Sequence, residues 1–193
     1  MSQADALLWN RRYSDDPAWS DQRVPHQLLI SHLELLPRGG LVLDMACGTT
    51  STGRFLASRG WPVIALDVSM AALRLAQVQT RKEALPVWMA VMDLTDPWLP
   101  RETFDVILNF YYLSRPLWQT YREALKPGGL LFFETFLREA DTNPNHYLDS
   151  LELKTAFDDW EIIDYAETLR PSRSPDAPAD KRRVAHLVAR KPI

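Results

Sequence analysis

The chain has 193 residues, 46% of them hydrophobic and 24% charged, which is the composition of an ordinary globular protein. Its formal net charge of -3 gives no reason to expect a polyanionic partner such as nucleic acid. Residues 1–19 carry acids and arginines where a signal peptide has an apolar core, and no segment reaches the ~18 apolar residues of a membrane span. We therefore expect a cytoplasmic protein without a membrane contact. The one cysteine, Cys47, cannot form an internal disulfide.

Short apolar runs alternate with helical patterns along the first two thirds of the chain. The runs predict strands over residues 41–45, 62–67, 86–93, 103–110 and 130–136. Helices are predicted between them over residues 52–60, 70–84 and 115–125. Ser69 is the expected N-cap of the second helix, Pro116 lies in the first turn of the third, and KPGG (126–129) ends that helix. Continuously apolar strands indicate burial on both faces, and hence a parallel sheet between two layers of helices.

The last third of the chain departs from this alternation. Residues 148–160 look helical, and residues 161–167 and 184–190 look like strands. A Pro-rich, charged connector, residues 170–183, joins the two strands without a crossover helix, so they pair antiparallel if they are neighbours. The connector is either a solvated hairpin loop or a flap over a substrate.

The turn after the first strand is a candidate ligand site. The strand ends at Asp44, and a tight turn of small residues leads into a helix near Ser51. The turn consists of Ala46, Cys47, Gly48 and Thr49. Its N–H groups and the helix N-terminus lie at the carboxyl end of the sheet, where open α/β sheets bind ligands. Asp67 ends the second strand, 23 residues after Asp44, at the distance of a carboxylate that binds ribose hydroxyls. Together they predict an adenosine-like ligand.

The glycine spacing distinguishes between adenosine ligands. A dinucleotide fingerprint needs Gly-x-Gly-x-x-Gly so that the backbone can approach a pyrophosphate, but Ala46 and Ser51 take the outer places around Gly48. This disfavours a hydride-transfer cofactor. An NAD(P)-dependent oxidoreductase and a module that binds its ligand without catalysis remain alternatives.

Four motifs in order, VLDMACGTT, ALDVS, VMDLTDP and LKPGGLLFFETF, resemble those of class I S-adenosylmethionine (SAM)-dependent methyltransferases. The segments NFYYLSRPL and NPNHYL further resemble small bacterial members related to the tellurite-resistance and thiopurine type. The resemblance implies an α/β fold, a single doubly wound, Rossmann-like domain with a seven-stranded, mostly parallel sheet and an antiparallel C-terminal strand. It implies one domain over residues 1–193, with capping helices over 1–38, a SAM-binding core over 39–136, and a C-terminal helix and antiparallel hairpin over 137–193.

The resemblance also implies where SAM binds. The turn after Asp44 faces the methionine part, and Asp67, with Val68 beside it, binds the ribose. Asp93 lies near the adenine amino group. The residues that pack on the adenine ring are Met92 and Leu94. Of the glycines in the family's Asp-x-Gly-x-Gly-x-Gly, this chain keeps the central Gly48, with Ala46 and Thr50 in the outer places.

The N-terminal segment WNRRY resembles an element that folds over the cofactor in small-molecule methyltransferases. By this resemblance Trp9, Arg12 and Tyr13 close the site, with Arg12 pairing with the SAM carboxylate and an aromatic face approaching the sulfonium. The alternative is a surface helix with one buried aromatic edge.

Methyl transfer from a sulfonium is a direct displacement, which requires alignment and exclusion of water but no dedicated catalytic residue. The acceptor is expected beyond the fourth strand, where Asn109 is a candidate polar contact and Tyr111 or Tyr112 is a candidate for orienting or deprotonating it. At least two of the aromatic residues at 110–112 are expected in the core. The segment NFYY also resembles the Asn-Pro-Pro-Tyr of N6-adenine and glutamine methyltransferases. Since both prolines are absent, we favour a small-molecule or soft inorganic acceptor over nucleic acid.

The cysteine and the histidines give weaker signals. Cys47 is interpreted as a small buried spacer and not a nucleophile, because no histidine is near it in sequence. His26 and His32 lie six residues apart in a helical stretch and His186 lies in a strand, so no metal site is predicted. His146, after the fifth strand, either lines the acceptor pocket or caps a turn.

Overall fold

The computed structural model describes four stretches of the chain, residues 3–15, 24–139, 142–171 and 181–193. They contain a seven-stranded sheet in the order β3-β2-β1-β4-β5-β7-β6. The strands are β1 (Val42–Met45), β2 (Val63–Asp67), β3 (Val87–Val91), β4 (Phe104–Phe110), β5 (Leu125–Phe136), β6 (Glu161–Pro171) and β7 (Lys181–Arg190). Strands β1 to β5 pair in parallel, and β7 is antiparallel to both of its neighbours, β5 and β6. The predicted sheet with an antiparallel C-terminal strand is therefore confirmed.

Helices cover both faces of the sheet. Those described are α1 (Gln3–Asp15), α2 (Gln27–Ile30), α3 (Ser51–Ala57), α4 (Met70–Lys82), α5 (Leu117–Ala124) and α6 (Glu152–Ala156), with a 3₁₀ helix at Leu33–Leu35. Strand side chains alternate between two cores: Val106 and Leu108 of β4 pack with α2 and α3, whereas Ile107 packs with α5 and α6. None of these helices has the length and apolar character needed to cross a membrane.

Three elements differ from the sequence-based expectations. Strand β3 is not buried on both faces, because it is an edge strand in which Trp88 is 59% exposed. Strand β5 includes KPGG, which was expected to end the preceding helix, because Leu125 already pairs with Phe104 ahead of a register shift. The helix expected over residues 148–160 is confined to α6, since Leu148 bridges to Leu137 in an extended conformation.

The order of the strands determines where a ligand can bind. Strands β1 and β4 are neighbours, and the chain proceeds from β1 to β2 and β3 on one side and from β4 to β5 on the other. The connections therefore leave in opposite directions, which opens a crevice beyond the carboxyl ends of β1 and β4. The N-cap prediction for α4 is confirmed, because Ser69 Oγ accepts a hydrogen bond from the Ala72 N–H at 3.2 Å.

Gly53 allows α3 to pack closely on β1 and β2. A Cβ atom there would lie 2.3 Å from Thr50 Oγ1, 3.0 Å from Val63 Cγ1 and 3.1 Å from Asp44 Oδ2. An ordinary glycine-to-alanine change inside a helix stabilises by about 1 kcal/mol. We instead expect Gly53→Ala to lower the free energy of unfolding by about 1–3 kcal/mol, because neighbouring side chains already fill the space that the new methyl group would need. Urea denaturation measures the difference.

The control for this substitution is Gly53→Ala in a Thr50→Gly background. That background removes the nearest obstructing atom, so the alanine should cost less there than in the natural chain. A stability gain from Gly53→Ala alone would contradict the close packing of α3.

Candidate functional site

A cavity of about 960 Å³ lies at the carboxyl edge of the sheet. Its wall is formed by α1, by the segments after β1, β3 and β4, and by residues 145–147, together with Asp67, Phe136 and Arg170 from the ends of β2, β5 and β6. This volume is at the upper end of the range of small-molecule sites, roughly 300–1,000 Å³. The cavity therefore has room for two ligands side by side.

Asp67 fastens the glycine turn to the start of α4. Its Oδ2 accepts a hydrogen bond from the Gly48 N–H at 2.7 Å, and its Oδ1 accepts one from the Ser69 N–H at 2.7 Å. Burial raises the pKa of Asp67, while these N–H groups and that of Val68 oppose the rise. Asp67 also lines the cavity, so one carboxylate both shapes the turn and faces the ligand space.

Asp44 is a second buried carboxylate in the cavity wall. It accepts a hydrogen bond from the Thr50 hydroxyl at 2.7 Å, and burial raises its pKa to about 7 although that hydrogen bond opposes the rise. Thr50 itself is fully buried, has a left-handed backbone with φ of 47°, and is not part of the cavity wall. Among the described residues no lysine or arginine forms an ion pair with Asp44 or Asp67. The two carboxylates therefore suit a cationic ligand such as SAM.

The N-terminal helix α1 lies over the glycine turn. Trp9, Arg12 and Tyr13, which the resemblance places over the cofactor, all line the cavity. Tyr13 is buried, and a Cβ atom on Gly48 would lie 2.3 Å from its hydroxyl oxygen, so only glycine fits beneath it. The guanidinium carbon of Arg12 lies 4.9 Å from the centre of the Trp9 ring.

Asn10 holds α1 in this place. Its Oδ1 accepts hydrogen bonds from the Ser69 hydroxyl at 3.0 Å and from the Ala71 N–H at 2.9 Å. It thus supplements Ser69 as a cap of α4. Sequence reasoning missed this role: Asn is a capping residue type, but nothing local shows that its partner is a helix about 60 residues away.

The structure brings only part of the predicted cofactor set to the cavity. The predicted residues outside the cavity wall are Thr49, Val68, Met92, Asp93, Leu94 and Asn109. Leu94 is buried in the core, and Asp93 is exposed and accepts hydrogen bonds from the N–H and hydroxyl of Thr95 at 2.9 and 2.7 Å. Thr95 does line the cavity.

Asn109 is turned away from the expected acceptor space. Its side-chain amide donates to the Tyr121 hydroxyl at 2.7 Å in the core, so the prediction that Asn109 contacts the acceptor is not supported by its position. Of the three aromatic residues at 110–112, at least two of which were expected in the core, Phe110 and Tyr112 are partly buried and pack against the two hydrophobic cores. All three also line the cavity. Burial raises the pKa of Tyr112.

A buried polar cluster that the sequence did not reveal borders the same wall. Glu134, which is 0% exposed, accepts a hydrogen bond from the Tyr111 hydroxyl at 2.8 Å. His26 Nε2 lies 3.2 Å from the Tyr111 oxygen and 3.3 Å from Glu134 Oε1. The one available signal was an acid inside the apolar strand LLFFETF, since a fully buried carboxylate is almost always paired.

The remaining candidates have simple environments. His146 is exposed, lines the cavity, and lies in a turn closed by its N–H to the Asn143 carbonyl at 3.0 Å. Burial raises the pKa of the Cys47 thiol well above its usual value, which keeps the sulfur neutral. Within the four described stretches, no group of three or more His, Cys, Asp or Glu side chains is arranged to hold a metal ion. The connector expected as a loop or flap lies mostly outside the described residues.

Part of the site lies in a segment that is similar to known proteins. Residues 42–129, which include the glycine turn and Asp67, match a family model described as a methyltransferase domain. Over 108 residues the chain is 30% identical to YqeM of Bacillus subtilis (strain 168), a methyltransferase by name, covering 51% of this chain and 43% of that protein. Over 135 residues it is 28% identical to the ubiquinone biosynthesis O-methyltransferase of Histophilus somni (strain 2336), covering 61% of this chain and 56% of that protein.

The chain thus spans about half the length of the curated relatives it matches. Among solved structures, TehB from Haemophilus influenzae superposes with a TM-score of 0.78 over 95% of this chain and 67% of that chain, at 18% identity. This likeness shows a shared fold. Residues 42–129 are thus similar to methyltransferase domains, and the described sheet has the fold that the chain shares with TehB.

Proposed function

We propose that this protein transfers a methyl group from SAM to a small-molecule acceptor within the cavity. The observation that carries the proposal is Asp67, which binds the glycine turn through Gly48 and faces the cavity at the end of β2. When bound, SAM supplies an electrophilic methyl group on a sulfonium sulfur. What is left to the protein is to bind, align and exclude water.

The chain has residues placed for each of these tasks. Asp67 is positioned to bind the ribose hydroxyls. Burial raises the pKa of both Asp44 and Asp67, and a cationic ligand beside them would stabilise their charged forms. Tyr13 and Trp9 of α1 cover the glycine turn and exclude water from it. We place the adenine beside Thr95, where residues 92–94 adjoin the wall.

Calorimetric titration with SAM and with its demethylated product, S-adenosylhomocysteine (SAH), tests the cofactor assignment. We expect dissociation constants in the micromolar range, which correspond to a binding free energy on the order of -8 kcal/mol. NADH serves as the control ligand, because the alternative function is a nicotinamide-dependent oxidoreductase. Tighter binding of NADH, or no binding of either SAM or SAH, would overturn the proposal.

A second measurement separates an enzyme from a binding module. SAH formation from SAM is followed while small phenols, thiols, amines and soft inorganic anions are offered in turn. Release of SAH in proportion to an added acceptor is the expected result. If SAM binds but no acceptor causes SAH release, the protein is a SAM-binding module without transfer.

A further inference from the structure

The buried group beside the acceptor end of the cavity is the strongest feature that methyl transfer alone does not explain. We call it the Tyr111 cluster and define it as His26, Tyr111, Glu134 and Arg170. Three members line the cavity, and the fourth, Glu134, lies fully buried behind them. Direct displacement needs no such group, so its presence points to a property of the acceptor.

Glu134 holds Tyr111 at both ends. The Tyr111 N–H donates to the Glu134 carbonyl at 2.7 Å, and the Tyr111 hydroxyl donates to Glu134 Oε1 at 2.8 Å. Tyr111 has a left-handed backbone with φ of 63°, which bulky residues rarely adopt. Such strain persists only where surrounding contacts hold it, and here those contacts turn the phenol off the end of β4 into the cavity wall.

His26 is a hydrogen-bond donor toward this pair. Its Nδ1 accepts the Leu28 N–H at 3.2 Å as the N-cap of α2, which leaves the ring proton on Nε2. That nitrogen faces both the Tyr111 oxygen and Glu134 Oε1. His26 therefore supports the pair as a donor, and its Nδ1 lone pair is already used.

Glu134 is the proton acceptor of the cluster. Burial by itself raises the pKa of Glu134. The hydrogen bonds from His26 and Tyr111 and the nearby positive charges, that of His26 when protonated and that of Arg170 3.4 Å from Oε2, bring the pKa below its usual value. An ionised carboxylate only accepts hydrogen bonds. The Tyr111 proton consequently points at Glu134, and a ligand that meets the Tyr111 oxygen meets an acceptor.

Aromatic rings surround this oxygen. The Tyr111 ring stacks on Phe136 with centroids 5.2 Å apart, and His26 stacks on Phe110 at 3.8 Å. Phe110 and Phe136 both line the cavity. Flat aromatic rings beside the Tyr111 side chain suit a planar ligand.

We propose that the Tyr111 cluster is the acceptor subsite, and that it selects a planar acceptor with a nucleophilic hydroxyl or thiol group. The proton of that group is donated in a hydrogen bond to the Tyr111 oxygen. This inference rests on the proposed methyl transfer and narrows its substrate class. Acceptors without such a proton, including soft inorganic anions, are disfavoured, because their lone pairs would face those of Tyr111.

The same contacts provide a path for the proton during the reaction. As the acceptor oxygen or sulfur forms its bond to the methyl carbon, the carbon–sulfur bond breaks and its electron pair goes to sulfur. The acceptor atom becomes positive, so its proton becomes strongly acidic and moves to the Tyr111 oxygen. The Tyr111 proton moves at the same time to Glu134 Oε1. The methylated product has no proton to donate to Tyr111, so it binds the subsite more weakly than the acceptor does.

Phenol and its methyl ether, anisole, test the direction of this hydrogen bond. Each is titrated into protein saturated with SAH and followed by ligand-observed NMR. In the natural protein we expect phenol to bind about tenfold more tightly than anisole, as one hydrogen bond predicts. In Tyr111→Phe the ratio should fall to about twofold or less. In Glu134→Gln the amide donates to the Tyr111 oxygen, its hydroxyl proton turns outward, and the preference should shift toward anisole.

A second Tyr–Glu pair in the chain supplies matched controls. Tyr165 donates to Glu167 at 2.7 Å, and neither residue lines the cavity, so Tyr165→Phe and Glu167→Gln should keep the natural ratio. Thermal midpoints check folding, and Tyr111→Phe decides alone if Glu134→Gln does not fold. Equal binding of phenol and anisole in the natural protein, binding of neither, or an unchanged ratio in Tyr111→Phe would overturn the inference. Failure of SAH to bind would instead overturn the proposed function and, with it, this inference.

Discussion

Replacement of Asp67 by alanine is expected to weaken the binding of SAM and SAH by at least about 100-fold, close to 3 kcal/mol. Two effects combine in this loss. The ribose hydroxyls lose their acceptor, and the N–H groups of Gly48 and Ser69 lose the carboxylate that holds them at 2.7 Å. Hydrogen bonds to a charged group contribute about 1.5–3 kcal/mol each to stability. The substitution therefore disturbs the shape of the turn as well as removing a direct contact with the ligand.

Asp67→Asn separates the two effects. The side-chain carbonyl oxygen of the asparagine can still accept a hydrogen bond from one of the two backbone N–H groups. The turn should therefore be less disturbed than in Asp67→Ala, although the negative charge is lost. Calorimetry with SAH and urea denaturation should be run on both variants. Asp96→Asn, an exposed acid beyond β3 that does not line the cavity, controls for loss of charge. An affinity within threefold of the natural value in Asp67→Ala would exclude Asp67 from the cofactor site.

The stability of the protein is expected to fall as the pH rises from about 4 to 7, through the titration of Asp44. Burial raises the pKa of Asp44 from 3.8 to about 7 in the folded state. Between these values the folded chain binds a proton that the unfolded chain releases. Stabilisation by that proton is complete below about pH 4 and is lost as the pH passes 7, an effect of up to about 4 kcal/mol.

Asp44→Asn should remove this dependence. The amide keeps an oxygen for the Thr50 hydroxyl and carries no charge, so the variant should be more stable than the natural protein at pH 8, by about 1–3 kcal/mol, and similar to it at pH 5. Urea denaturation at pH 5, 6.5 and 8 measures this, with Asp158→Asn as an exposed control. A natural protein and variant with parallel pH profiles would show that Asp44 titrates in its ordinary range.

Prediction of the fold from sequence succeeded where the signal is local. The buried strands β1, β2 and β4 are short apolar runs, and their ends are marked by the change to small or polar residues. The edge strand β3 has the same apolar composition, yet it is largely exposed, because it lies at the edge of the described sheet. Nothing in its residues shows whether a neighbouring strand pairs with its outer side.

Prediction of the site failed where the outcome depends on which face a residue takes. Asn109 and Tyr111 are two positions apart, which in a regular strand would place them on the same face. The left-handed backbone at Tyr111 breaks that alternation, so Asn109 binds Tyr121 in the core while Tyr111 reaches the cavity wall. A positive φ at a tyrosine has no signature in composition or spacing.

The sequence by itself determined the parallel sheet, its antiparallel last strand, and the positions of Asp44 and Asp67, because apolar periodicity and strand ends are properties of neighbouring residues. Only the tertiary structure decided that Asn10 caps α4 and that His26, Tyr111 and Glu134 form one cluster. Those residues come from distant parts of the chain, and hydrogen bonds between them exist only after the helices have packed on the sheet and removed water from the carboxylate.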